Sequence, residues 1–128
     1  MYAENEPSFW HRLDRWLQHS TLLSFEGRIN RSTFWLRGVL PLVGLSIVSW
    51  IALAFLPVST VGGIVTLIVA FLLFGMWLAP TVKRLHDRDK SMWWLLIWFI
   101  PIVGQLWLFI EVGFLEGTPG ANRYGEKP

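Results

Sequence analysis

After a mixed opening, the chain runs through long apolar blocks separated by short polar ones. Phe9, Leu13, Trp16 and Leu17 recur at helical spacing, with His11, Arg12, Asp14, Arg15 and Gln18 largely on the other side. This pattern predicts an amphipathic helix over 9–19, begun at Ser8 as N-cap, that lies flat in a lipid headgroup layer or docks on a cytosolic partner. Apolar runs follow at 35–56, 61–82 and 92–115, each matching a bilayer crossing of about 20 residues. Between Gly38 and Thr81 there is no Asp, Glu, Lys, Arg or His. The expected class is therefore an all-α integral membrane protein. It is a single domain over 1–128 with an interfacial N-terminal helix, three transmembrane helices and an ordered-turn tail over 116–128.

Local signals sharpen this outline. Gly27 suits a turn, and Asn30 or Ser32 is placed to cap the first span. Pro41 and Pro80 are expected to kink the first and second spans near the same membrane face and to open a shallow pocket there. Gly62, Thr66 and Ala70, followed by Gly75 and Ala79, form a small-residue ladder of the kind that lets membrane helices approach closely. The block 83–90 reads as a charged loop, with Ser91 capping the third run. Pro101 and Gly104 near the middle of that run permit a kinked crossing or a re-entrant hairpin. Its length favours the full crossing, which would leave the tail outside.

Composition agrees with a lipid environment, since 53% of the 128 residues are hydrophobic and only 16% charged. The pI near 9.4 does not call for nucleic acid. Its basic residues flank the apolar runs, where the positive-inside rule and anionic headgroups account for them. The same rule puts the N-terminus and the 83–90 block in the cytoplasm. No cleavable signal peptide is evident, and the absence of cysteine excludes disulfides and thiolate chemistry.

Three polar blocks carry a family resemblance: Gly27-Arg28-x-x-Arg31-x-x-Phe34-Trp35, Lys83-Arg84-Leu85-His86-Asp87, and Gly117-Thr118-Pro119-Gly120-x-Asn122-Arg123-Tyr124-Gly125. In this order and with these spans between them, the chain resembles the YhaH-like family of small bacterial inner-membrane proteins, the domain of unknown function 805. The match covers about residues 25–128. The resemblance implies a bacterial cytoplasmic-membrane location and about three helices, and it brings no established reaction. Arg88-Asp89 departs from the pattern, standing where a smaller apolar or glycine-containing pair is expected.

Candidate chemistry is thin. No serine elbow, phosphate-cradling glycine loop, zinc helix or paired intramembrane carboxylate is present, so no enzyme activity, cofactor or metal is expected. His86 and Asp87 have no convergent third ligand, because His11 and His19 lie at no ligand spacing. The arginines offer more, since guanidinium forks fit phosphate geometry. The candidate site for anionic lipid or phosphate comprises Arg28, Arg31, Lys83, Arg84, His86, Asp87, Asn122 and Arg123. The competing reading is that these cations set topology, with Asp87 pairing with Arg84 or Arg31. The expected function is binding of membrane lipid or a partner protein at this cytoplasmic surface. The rival is an oligomeric transporter or channel subunit that uses the small-residue seam for assembly and Gln105 on its path.

Overall fold

The structure is a computed structural model that describes residues 8–128; residues 1–7 and the side chains of Leu17, Gln18 and His19 lie outside the described part. Its elements are α1 (Phe9–His19), α2 (Arg31–Ala54), α3 (Thr60–Asp87), a 3-10 helix (Met92–Phe99) and α4 (Val103–Gly113). No strand occurs among the described residues; the tail carries a single isolated bridge between Asn122 and Gly125.

Asn30 caps α2, its Oδ1 accepting the Thr33 amide at 2.8 Å. Along 34–39 the helix widens to π register, so that the Leu40 amide donates to Trp35 O, five residues back. Pro41 explains the slip: it has no N–H to offer the carbonyl one turn earlier, and the chain absorbs the mismatch in a wide turn. Across from it, Pro80 lies inside α3 and packs against Gly38, where even a Cβ would come within 2.9 Å of the proline ring. The two helices therefore close on each other at Gly38 and Pro80, and a cleft at this end of the molecule lies beside Asn30, Arg84, Asp87 and Gly117.

Ser59 caps α3 through the Gly62 amide. This helix continues through Lys83-Arg84-Leu85-His86-Asp87, which the sequence reading had placed in a loop. It stops in a Schellman closure: Asp89 N–H donates to His86 O at 3.0 Å and Lys90 N–H to Leu85 O at 2.8 Å. Asp89 occupies the left-handed position with φ 58°, the place that usually favours glycine.

The third apolar run does not form one continuous span. The 3-10 helix ends at Phe99, the chain reverses over Pro101 and Ile102 (φ 64°), and α4 returns along the first limb. The limbs touch at their backbones, since a Cβ on Gly104 would lie 1.7 Å from Ile97 O. Both ends of the hairpin meet where it started: Lys90 Nζ is 2.7 Å from the Glu111 carboxylate. Each limb rises about 16 Å, at roughly 2.0 Å per residue in a 3-10 helix and 1.5 Å in an α-helix, about half a hydrocarbon core of ~30 Å. Of the two readings of 92–115, the favoured kinked full crossing gives way to the hairpin, because Pro101 interrupts the helical ladder while Gly104 lets the returning limb close.

The main hydrophobic cluster sits at the charged end. Ile29, Phe34, Leu85, Leu108 and Val112 form it, with Trp35, Val39, Trp77, Leu95 and Ile97 packed against them. The far halves of α2 and α3 are bare, with Trp50, Phe55 and Phe71 all at least 75% exposed. Both helices are long and apolar enough to cross a membrane, and almost none of their apolar windows is covered by the rest of the chain.

Candidate functional site

The three polar blocks converge on one carboxylate. Arg28 Nε and Nη2 donate to Asp87 Oδ1 at 3.0 and 2.9 Å, and Arg84 Nη1 donates to Asp87 Oδ2. The side chains of Arg28, Arg84 and Asp87 are no more than 5% exposed. Backbone carbonyls take the remaining protons. Arg28 Nη1 donates to Gly120 O at 2.7 Å and Gly125 O at 3.1 Å, and Nη2 to Thr118 O at 3.1 Å. With these bonds, all five N–H groups of the Arg28 guanidinium have acceptors.

Arg84 closes the end of α4. Its Nε donates to Val112 O at 2.7 Å and Nη2 to Leu115 O at 2.6 Å, carbonyls that a helix C-terminus leaves without partners. The partial negative charge of that terminus helps balance two guanidiniums against one buried carboxylate. Among the described residues no buried side-chain nitrogen or oxygen is left unsatisfied.

A second layer surrounds this centre. Arg31 donates to Phe114 O and Glu116, in a pair that is largely exposed. Glu111 is buried and held by Arg88 and Lys90, whose ammonium also lies 4.3 Å from the Trp94 ring. His86 stacks on Tyr124 at 3.8 Å, with Nδ1 3.2 Å from Gly27 O, while Asn122 Nδ2 donates to His86 O and Thr118 Oγ1. Arg123 Nε donates to Asp89 Oδ1 at 3.1 Å. That hydrogen bond holds the Asp89 carboxyl below its ordinary value and raises the Arg123 guanidinium. Lys83 turns the opposite way, its Nζ donating to Ser20 O at 2.5 Å in the link that follows α1.

All eight residues named from the sequence thus lie at one end of the molecule, and most contact one another. Arg28 and Arg84, however, have their donors engaged within the protein, and the open cleft beside them is lined by Arg31, Arg84, Asp87, Glu116, Thr118 and Lys127. Asp87 pairs with Arg84, as one reading held, but its second partner is Arg28 and not Arg31. Sequence reasoning missed Glu111 as a buried anchor, although an acidic residue nine positions after Ile102 of the Pro-Ile turn, with cations just before the run, is the signal of a returning hairpin.

Comparison with known proteins matches residues 22–126 to the family described as "Protein of unknown function (DUF805)". The chain belongs to this family. It is 37% identical to the Escherichia coli K12 inner membrane protein YhaH over 109 residues, 83% of this chain and 88% of that one. Inner membrane protein YhaI from the same strain is 35% identical, covering 83% and 86%. The uncharacterized protein YiiR is 33% identical, covering 82% and 86%. No solved structure matches. The family match confirms the resemblance read from the three blocks, and relatives named as inner membrane proteins support a bacterial inner-membrane location for a chain with two long bare apolar helices. The structure adds what those blocks do: together they form one arginine-carboxylate-carbonyl lock.

Proposed function

We propose that this is a two-span inner-membrane protein with a re-entrant hairpin, and that it binds anionic phospholipid at its cytoplasmic rim through α1 and the mouth of α2. The N-terminal segment, the lock and the tail then share the cytoplasmic side, which agrees with the excess of Lys and Arg there. One observation carries the binding assignment. The segment after α1 is fixed by Lys83 at Ser20 O and by Thr21 beside Gly38, the depth at which the uncharged stretch begins. From that anchor, α1 exposes Phe9, Trp10 and Trp16 together with Arg12 and Arg15, and Arg37 is exposed on α2 nearby in sequence. Aromatic rings with neighbouring guanidiniums at a bilayer boundary suit the ester layer and phosphates of anionic lipid. A transport path gains no such support, since Glu111 is enclosed by Arg88 and Lys90 while Gln105 is exposed.

The test is quenching of tryptophan fluorescence by brominated lipid in reconstituted bilayers, phosphatidylglycerol against phosphatidylcholine. A basic residue near an anionic surface contributes about 1 kcal/mol. Changing Arg12, Arg15 and Arg37 to Gln is therefore expected to reduce the preference for phosphatidylglycerol roughly tenfold or more. An undiminished preference in the triple variant overturns the assignment.

A further inference from the structure

Gln105 is the polar side chain that the lock leaves aside. It lies in the first turn of α4, six residues before Glu111, about 9 Å deeper than the charged end at 1.5 Å per residue. Its side chain is exposed and makes no hydrogen bond among the described residues. Ile102 and Phe109, its neighbours at i−3 and i+4, are exposed as well. Because α4 runs from the hairpin tip outward to the charged end, side chains leaning toward its N-terminus lean toward the tip. The amide therefore cannot reach back to the cytoplasmic interface.

We infer that Gln105 is the contact point of a homodimer within the membrane. This rests on the hairpin re-entering the bilayer, as proposed above. In hydrocarbon an amide with no partner is costly, and the side chain that satisfies it most economically is its own copy. A carboxamide has both donor and acceptor, so two Gln105 side chains related by a two-fold axis complete each other. The adjoining Ile102 and Phe109 supply apolar surface that packs around the pair.

The chain contains no cysteine, so a single introduced thiol reports without further changes. In native membranes, Gln105→Cys is expected to form a disulfide-linked dimer on mild oxidation, while Leu67→Cys on the bare half of α3 does not. Energy transfer between labelled copies, diluted with lipid, is expected to show Gln105→Leu weakening self-association by roughly 3- to 30-fold, the range for an interhelical side-chain hydrogen bond. Gln105→Asn is expected to retain most of it. The inference is overturned if Gln105→Leu associates as the parent does, if the parent stays monomeric at every dilution, or if a membrane-impermeant maleimide labels Gln105→Cys from water. A C-terminal reporter on the outer face would instead remove the hairpin reading beneath it.

Discussion

Gly117 lies so close to Asp87 that a Cβ there would sit 2.0 Å from Oδ2 and 2.4 Å from the carboxyl carbon. The tail is thus seated directly on the carboxylate that joins the two arginines, and only a residue without a side chain fits. Gly117→Ala must displace either the tail or Asp87. It is expected to destabilise the protein by about 1–3 kcal/mol, the usual scale of overpacking, seen as a lower midpoint of thermal unfolding in detergent. Gly120→Ala is the control, because a Cβ there meets nothing within 4 Å.

Removing the carboxylate should cost more than removing an exposed ion pair. Asp87→Asn leaves Arg28 and Arg84 buried without a counter-charge, expected at about 3–5 kcal/mol. Arg31→Gln breaks only the largely exposed pair with Glu116, expected at about 0–1 kcal/mol. Equal effects of the two substitutions, read from the same unfolding curves, would deny the lock its central position.

Much of this was legible in the sequence, and the remainder failed for physical reasons. The uncharged stretch from Gly38 to Thr81 gave both long helices, and Asn30 announced its cap. Arg88-Asp89 stood out as a departure where a smaller apolar or glycine-containing pair was expected, and the structure shows why glycine suits that place: Asp89 holds the left-handed closing position of α3. Hydropathy could not distinguish a crossing from a hairpin, because both are runs of apolar residues of the same length. Contacts across the fold distinguish them: the pairs of Arg88 and Lys90 with Glu111 and the close approach of Gly104 to Ile97 O. Nor could the arginines reveal their partners, most of which are backbone carbonyls carried by every residue type.

Acid is expected to loosen the outer turn of the tail through Asp89. Its folded value is depressed by the Arg123 hydrogen bond, so its stabilising contribution is present above the ordinary carboxylate value and is lost as pH falls through the lower, folded one. Hydrogen exchange of residues 118–125 should therefore differ between the parent and Asp89→Asn at neutral pH, and the difference should vanish only below about pH 4. A difference that disappears between pH 7 and 5 would assign the attachment to another group.

The account turns on where the chain goes after Ile102. The measurement that tests it most directly is labelling of Lys127→Cys and Val58→Cys, each as the sole cysteine, by an impermeant maleimide in intact spheroplasts and in inverted membrane vesicles. The tail thiol is expected to react in inverted vesicles and to be protected in spheroplasts, with Val58→Cys, in the link between α2 and α3, showing the reverse. Labelling of both thiols from the same face would contradict the returning hairpin.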